Sequence, residues 1–191
     1  DGRPDLVVAN MWSHSVSAML GNGHGTFGTA DVHMAAWSTS SMAMADFDGD
    51  GRQDLAIPHI GPASGFVRAV SVRLGNGDGT FRAGGNFPIG GWAVSTAIGD
   101  LNGDGKADLV AANSNLGTVS VMMGNGDGTL APGTDYPTRP SSNHVAIADL
   151  DRDGKPDLAV ANSGVSPDYI GTVSVLLGNG NGTFAPGTDF A

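Results

Sequence analysis

Two short motifs recur in step along this chain of 191 residues, and no other feature limits its possible folds as strongly. The first motif is rich in aspartate and reads DFDGDGRQDL (46–55), DLNGDGKADL (100–109) and DLDRDGKPDL (149–158), while DGRPDL (1–6) matches its second half. Its sixth residue is always glycine, with spacings of 49, 54 and 49 residues between Gly2, Gly51, Gly105 and Gly154. Such a period predicts a propeller or a solenoid built from repeated units.

The second motif is rich in glycine and reads VSAMLGNGHGTF (16–27), VSVRLGNGDGTF (70–81), VSVMMGNGDGTL (119–130) and VSVLLGNGNGTF (173–184). This pattern predicts a strand, a tight turn and a second strand. The last unit contains four strand-like segments, which we name A to D: 144–150, 156–162, 171–179 and 182–190. Four antiparallel strands per unit are typical of a propeller blade. The predicted blades are 1–45, which lacks strand A and half of the acidic motif, 46–99, 100–148 and 149–191.

The composition agrees with an all-β fold. All 19 acidic residues are aspartate, lysine occurs only twice, and 31 residues are glycine, so strong helix formers are scarce. The formal net charge of −10 argues against a nucleic-acid partner, because phosphates require a basic surface. No run of 18 apolar residues is present, so we expect no membrane span.

The acidic motif offers oxygen atoms at alternating positions, which a curled loop can aim at one cation. Oxygen-only ligands in a flexible loop suit calcium better than zinc or copper. The loop is not an EF-hand, because Ile57 stands where a bidentate glutamate is needed and strands flank the loop. The predicted ligands of the first complete loop are Asp46, Asp48, Asp50, the carbonyl oxygen of Arg52, and Asp54.

The same pattern predicts two further complete calcium loops and one partial loop. The ligands of the second are Asp100, Asn102, Asp104, the Lys106 carbonyl oxygen and Asp108. Those of the third are Asp149, Asp151, Asp153, the Lys155 carbonyl oxygen and Asp157. The partial loop supplies Asp1, the Arg3 carbonyl oxygen and Asp5. Asn102 carries no charge, so we expect weaker binding in its loop.

Ordinary solvated turns are the alternative interpretation, since aspartate and glycine are common turn residues. A turn needs only one or two of them, whereas here four recur at fixed positions. Thirteen of the 19 acids belong to the four loops, and three bound divalent cations would change the charge from −10 to −4. We expect the calcium to be structural, because the ligands of each loop nearly fill the coordination shell.

The paired motifs resemble the FG-GAP/VCBS repeats of calcium-binding β-propellers, which occur in integrin α-subunit heads and in many secreted microbial proteins. The resemblance extends over essentially the whole chain. It implies propeller blades, bound calcium, and a secreted or cell-surface location. Many members have seven blades in the ring, whereas four units are present here. We therefore expect that these units do not close a ring alone, and that further blades or self-association complete the assembly.

In a blade of this type, the A–B and C–D connections lie on one face, and the B–C and D–A connections lie on the other. The repeated motifs occupy the first face, so we expect recognition on the irregular second face, since loops on a rigid scaffold commonly carry it. Exposed aromatic side chains beside polar groups suit a glycan or a protein ligand. Packing between blades is the alternative for the tryptophans at 37 and 92. The candidate ligand-binding residues are Trp12, His14, Trp37, His59, Trp92, Tyr136, Arg139 and Tyr169.

Catalytic patterns are absent from the sequence: the five histidines lack metal-ligand spacing, and there is neither a G-x-S-x-G motif nor a cysteine. The glycine-rich turn has no following Lys-Ser/Thr, so it predicts a hairpin rather than a phosphate-binding loop. The leading hypothesis is a non-catalytic calcium-binding module of a secreted or cell-surface protein, which binds a glycan or a protein. The alternatives are a repeat protein that self-assembles into a fibre or larger ring, and an accessory domain of a secreted enzyme.

Overall fold

The computed structural model describes residues 2–34, 41–60, 68–164 and 170–191. All regular secondary structure in these ranges is β-strand, which confirms the predicted all-β fold. The described ranges hold no helix that is long and apolar enough to cross a membrane.

The strands form four antiparallel sheets, in each of which neighbouring strands follow the chain order. Sheet 1 consists of β1 (Leu6–Asn10), β2 (Ser15–Met19) and β3 (Asp31–Met34). Sheet 2 consists of β4 (Ala43–Ala45), β5 (Asp54–Ile60), β6 (Arg68–Gly75) and β7 (Phe81–Pro88). Sheet 3 consists of β8 (Ala93–Gly99), β9 (Asp108–Asn113), β10 (Thr118–Met122) and β11 (Thr134–Pro137). Sheet 4 consists of β12 (Ser142–Ala148), β13 (Asp157–Asn162), β14 (Thr172–Leu176) and β15 (Thr188–Phe190).

These meanders have the strand order of propeller blades. Each four-stranded sheet begins with the strand that precedes an acidic loop, so units counted from the loops start one strand later than the sheets. Strand β8 falls in the unit 46–99 but pairs with β9 of sheet 3. Contacts between sheets join consecutive ones, through β4 with β8 and β8 with β12. The described sheets do not close into a ring.

Apolar cores fill the spaces between neighbouring sheets. Successive side chains of a strand point to opposite faces of the sheet. In β9, Leu109 therefore packs into the core between sheets 2 and 3, while Val110 packs into the core between sheets 3 and 4. Strand β9 is buried along its whole length, which explains its continuous apolar sequence.

Strand D is shorter than predicted in sheets 3 and 4. The last unit was expected to be extended from 182 to 190, but only 188–190 form a strand, preceded by an isolated bridge between Gly178 and Phe184. In sheet 2 the same strand is continuous, and Ala83 pairs with Arg73. Pro186 stands at the position of Ala83 and has no N–H to donate, but Thr29 stands there in sheet 1, where the strand is equally short, so proline alone does not explain the difference.

The connections separate into two faces, as strand parity predicts. The side chain of Arg52, in an acidic loop, lies against the glycine-rich turn at Gly77, where an added Cβ would stand 3.2 Å from Arg52 Cδ. At the other end, the Thr138 amide between sheets 3 and 4 donates to the Gly117 carbonyl in the β9–β10 connection, at 2.8 Å. The motif face and the irregular face are therefore opposite ends of the sheets.

Candidate functional site

The first complete acidic loop is curled around the carboxylate of Asp46. Its Oδ1 accepts hydrogen bonds from the amides of Gly49 (2.7 Å) and Asp50 (3.2 Å), and its Oδ2 accepts from Gly51 (2.8 Å). The carboxylates of Asp46, Asp48 and Asp50 each bring one oxygen to a site where these atoms all lie within 4.8 Å of one another. The alternation seen in the sequence thus becomes a cluster of hard oxygen atoms.

The other two complete loops repeat this geometry. Asp149, Asp151 and Asp153 form an equivalent carboxylate cluster. Asp100 accepts from the amides of Gly103 (2.7 Å) and Gly105 (2.8 Å), as Asp46 does in the first loop. These amides lower the pKa of Asp100, that of Gly105 most strongly, so its carboxylate is ionised at neutral pH.

The oxygen clusters fit a hard divalent cation, because each consists of carboxylate or amide oxygens and contains no nitrogen or sulfur ligand. Basic side chains pair with single carboxylates of the clusters, and in the first loop Arg82 pairs with Asp48 at 2.8 Å. Arg52 pairs with Asp50 (3.3 Å), and Lys155 pairs with Asp153 (2.6 Å) and lowers the pKa of that carboxyl group. When calcium is bound, it would supply the counter-charge that three converging carboxylates need.

The ninth residue of the motif has a second role. Asp54 is fully buried, and its two carboxylate oxygens accept from the amides of Phe47 and Gly75, both at 2.8 Å. Burial raises the pKa of Asp54, opposed by the hydrogen bonds from Gly75 and Phe47. This carboxylate therefore ties the acidic loop to the end of β6, while its predicted role as a calcium ligand stays a prediction.

Equivalent contacts occur in the other sheets. Asp108 accepts from the amides of Leu101 and Gly124, and Asp157 from those of Leu150 and Gly178, all at 2.8 Å. In the partial loop, Asp5 accepts from the Gly21 amide at 2.8 Å. The side chain of Arg3 lies near the turn at Gly23, and Asp1 lies outside the described residues.

Each glycine-rich turn closes a hairpin, as predicted. The Asn76 amide donates to the Thr80 carbonyl at 2.9 Å, and the side chain of Asp78 accepts from the Thr80 amide. The turn also reaches the preceding sheet. The Gly128 amide of sheet 3 donates to the Phe47 carbonyl in the acidic loop of sheet 2, at 2.9 Å, and the Gly182 amide donates to the Leu101 carbonyl at 3.1 Å.

Those candidate residues of the irregular face that the structure describes are distributed over sheets 1, 2 and 3 and the connection that follows sheet 3. Trp12 is 91% exposed in the β1–β2 turn. His14, two residues later in the same turn, has a φ of +53°. Gly117, at the equivalent position of sheet 3, has a similar φ of +61°. Trp92 is partly exposed and lies 5.7 Å from the guanidinium of Arg68.

The structure places His59 inside β5, opposite Ala69, rather than in a loop. Burial lowers the pKa of His59, with a smaller contribution from the charge of Arg73. Trp37 and Tyr169 lie outside the described residues, so their predicted role stays a prediction.

Tyr136 lines a groove between the outer strands β11 and β15. The cavity has a volume of about 390 Å³. Its lining residues are Tyr136, Pro137, Thr138, Phe184, Pro186, Gly187 and Asp189. Arg139 reaches the groove through Asp189, with its Nε donating to Oδ2 at 2.6 Å.

Sequence reasoning missed Thr138, Phe184 and Asp189 as functional candidates. Thr138 is a neighbour of Tyr136 in the sequence, whereas Phe184 and Asp189 are brought to it by the packing of two units about fifty residues apart. One signal was available, because TDY (134–136) and TDF (188–190) recur at the same position of their units.

A model of the FG-GAP-like repeat matches residues 1–57, 63–111 and 100–160, which together exceed half of the chain. The chain belongs to the FG-GAP-like repeat family. This confirms the resemblance drawn from the paired motifs. No curated protein sequence is significantly similar to this FG-GAP-like repeat chain.

Several solved structures share the fold. A lectin from Agrocybe aegerita, described with its specific recognition of non-reducing terminal N-acetylglucosamine, aligns with a TM-score of 0.59 and 25% identity over 93% of this chain and 46% of the lectin. The V. cholerae biofilm matrix protein Bap1 gives a TM-score of 0.56 and 21% identity over 94% of this chain and 25% of Bap1. A chain of the BBS1N–ARL6DN complex gives a TM-score of 0.62 and 13% identity over all of this chain and 53% of that chain. The FG-GAP-like repeat chain thus spans between a quarter and about half of these proteins, and the last two show the fold alone.

Proposed function

We propose that this chain is a non-catalytic, calcium-stabilised binding module of a secreted or cell-surface protein, and that its ligand is a glycan. The observation that carries the calcium assignment is the convergence of three carboxylates in the loops that begin at Asp46 and Asp149. The family supports a repeat scaffold, and the similarity to the Agrocybe aegerita lectin supports a glycan ligand.

Calcium in these loops would act on the fold rather than on a substrate. Each loop joins the first two strands of its sheet. In sheets 2 and 3, the loop carbonyl also accepts the turn amide of the following sheet, as Phe47 accepts from Gly128. A cation that holds the loop therefore also fixes the boundary between two sheets.

The two parts of the proposal are tested separately. Elemental analysis and calorimetric titration of the chelator-treated chain should show calcium binding, and Asp50→Ala and Asp153→Ala should each remove part of it. A glycan array probed with the calcium-loaded chain should show binding that EDTA weakens. A chain that contains and binds no calcium, or one that binds no glycan, would contradict the corresponding part of the proposal.

Self-association is a second candidate function, favoured by the outer sheets. Val173 in β14 is 41% exposed, whereas the equivalent Val70 and Val119 are buried between sheets. At the other end of the sheet array, Leu6 is 40% exposed, whereas the equivalent Leu55 is buried. A second copy could cover one such face with the other, because inside the chain these two kinds of face pack together.

Light scattering and electron microscopy of the calcium-loaded chain test this candidate. Concentration-dependent oligomers that Val173→Asp abolishes would support it. A monomer at all concentrations would contradict it, whether or not the chain binds glycans.

A further inference from the structure

The groove between sheets 3 and 4 carries a fixed carboxylate. Asp189 Oδ1 accepts from the Ser174 hydroxyl at 2.6 Å, and Ser174 Oγ in turn accepts from the Asn162 side-chain amide at 2.9 Å. Ser174 and Asn162 are buried, so the orientation of the carboxylate is set from inside the sheet. The Ser174 hydrogen bond, together with the contact from Arg139, lowers the pKa of Asp189. The carboxylate is therefore ionised and held in place at neutral pH.

An aromatic wall lies beside this carboxylate. Tyr136 packs edge-on against Phe184, with ring centroids 5.5 Å apart and planes at 83°. Phe184 is buried in the core and fixes the half-buried Tyr136 ring. Thr138 adds a hydroxyl group at the same groove, 2.6 Å from the Ser142 hydroxyl. Apolar ring surface and polar hydrogen-bonding groups thus meet in one cavity.

The equivalent position between sheets 2 and 3 has different chemistry. Strand register equates Tyr136 with Phe87, since each lies opposite the corresponding valine of the neighbouring strand, Val119 or Val70. Phe87 and Ile89 pack against the apolar core there. Gly90 takes the place of Arg139, and a Cβ at Gly90 would stand 2.5 Å from Asp135 Oδ2, so a side chain there would displace that carboxylate.

Sheets 3 and 4 share one series of hydrogen bonds, in which an asparagine donates to a serine and the serine donates to an aspartate. In sheet 3 it runs from Asn113 through Ser120 to Asp135, as it runs from Asn162 through Ser174 to Asp189 in sheet 4. Of the two described grooves, the one where sheet 3 meets sheet 4 has in addition a phenol, a threonine hydroxyl and a guanidinium group. The ring of Tyr136 packs against the core as Phe87 does, so the difference between the two grooves lies in the polar groups alone.

We infer that the groove formed by Tyr136, Thr138, Phe184 and Asp189, with Arg139 at its edge, binds a neutral sugar residue of a glycan. This inference rests on the proposed glycan-binding function and assigns its site to the outer boundary of two sheets rather than to the irregular loops. Asp189 offers acceptors and Arg139 offers N–H donors side by side, which matches neighbouring sugar hydroxyl groups. The ring of Tyr136 offers an apolar surface to the C–H face of a sugar.

Charge and size favour a neutral sugar over other ligands. Arg139 is already paired with Asp189, so the two charges of the groove balance, and the chain as a whole carries −10. An acidic glycan would meet that excess of negative charge without an uncommitted cation in the groove. A volume of about 390 Å³ lies within the usual range of small-ligand pockets.

The test uses the calcium-loaded full chain, a glycan array of neutral and acidic glycans, and calorimetric titration with triacetylchitotriose and the strongest array ligand. The triple variant Tyr136→Phe, Thr138→Ile, Arg139→Gly gives the sheet 3 side of this groove the residues that sheet 2 has at the equivalent positions, Phe87, Ile89 and Gly90. It should weaken binding by about tenfold or more. Arg139→Gly alone, at an exposed position, should weaken binding in part. Leu116→Ser, which changes an exposed residue of the irregular face, is the matched control and should bind as the wild type does.

The outcomes separate the two proposals. Glycan binding that is unchanged in the triple variant, or lost in Trp12→Ala but not in the groove variants, would overturn the groove assignment and leave glycan binding intact. Binding only to acidic glycans would overturn the inferred ligand class. A wild-type chain that binds no glycan would overturn the proposed function and, with it, the inference. Calcium titration of each variant verifies that the loops, and therefore the sheets, are folded.

Discussion

At the scale of single residues, the ninth aspartate of the acidic motif serves the backbone. Asp108 is fully buried, and its two oxygens accept from the amides of Leu101 and Gly124. A carboxylate is the side chain that can accept at both oxygens, whereas an asparagine of the same shape would turn one N–H₂ group towards a backbone donor. The position therefore distinguishes aspartate from its closest isostere.

We predict that Asp108→Asn lowers the free energy of unfolding by about 1–3 kcal/mol, the cost of one buried unpaired amide. The loss should persist in EDTA, because it arises from the backbone contacts. Asp104→Asn is the control, since Asp104 belongs to the exposed part of the same loop. Its effect should be large with calcium and small without it. Urea denaturation with and without EDTA measures both, and a loss for Asp108→Asn that disappears in EDTA would show that its main role is calcium binding.

Arg152 adopts a φ of +68° at a loop position where the other two complete loops have glycine, with φ of +75° at Gly49 and +78° at Gly103. A residue with a Cβ costs roughly 1–2 kcal/mol in this conformation. The greater entropy of glycine in the unfolded chain offsets part of that cost. We predict that Arg152→Gly raises the unfolding free energy by up to about 1 kcal/mol. His24→Gly, at an exposed turn position, should lower it, and equal changes for both variants would contradict the explanation.

At the scale of elements, the acidic loop of one sheet and the glycine-rich turn of the next are joined by a backbone hydrogen bond. The Gly128 amide depends on the Phe47 carbonyl, and the Gly182 amide depends on the Leu101 carbonyl. Each acceptor lies inside a predicted calcium loop. Loss of calcium from one loop should therefore loosen a turn that belongs to the following sheet.

We predict that Asp50→Ala speeds hydrogen exchange at the Gly128 amide but leaves Gly182 unchanged. Asp104→Ala should do the reverse, because its loop supplies the Leu101 carbonyl. Amide exchange followed by NMR in calcium buffer measures both positions in each variant. Acceleration at both turns in both variants would instead indicate that the sheets open together.

At the scale of the whole molecule, calcium removal should destabilise the fold. A cation at one hundred times its dissociation constant contributes roughly 2.7 kcal/mol per site, and three sites contribute about 8 kcal/mol. That sum is comparable to the total stability of a typical domain. Calorimetry should show a clearly lower melting temperature in EDTA. An unchanged temperature, combined with no metal in the purified protein, would exclude structural calcium.

The repeat pattern predicted much of this architecture from the sequence. The four sheets, the order of their strands, the hairpin turns and the carboxylate clusters at Asp46 and Asp149 all follow from local motifs. Local pattern was sufficient where the relevant residues are neighbours in the chain.

Contacts between units were not predictable in the same way. The groove depends on how the outer strand of sheet 3 approaches that of sheet 4, which places Tyr136 beside Phe184 and Arg139 beside Asp189. Those distances depend on the packing angle between two sheets, and no spacing in the sequence encodes it. The position of His59 within β5 was also not predictable, because the sequence does not show that this strand continues past Pro58.

The hydrogen bond between a turn and the loop of the preceding sheet has a consequence for how such a chain can change its length. A repeat unit carries its own turn amide as donor and its own loop carbonyl as acceptor, as Gly128 and Leu101 illustrate within sheet 3 and its loop. When recombination duplicates one unit, the copy brings both halves of a new boundary with it, and no compensating substitution is needed. Evolution can therefore add or delete whole units one at a time, and each new boundary brings with it a new groove between two sheets.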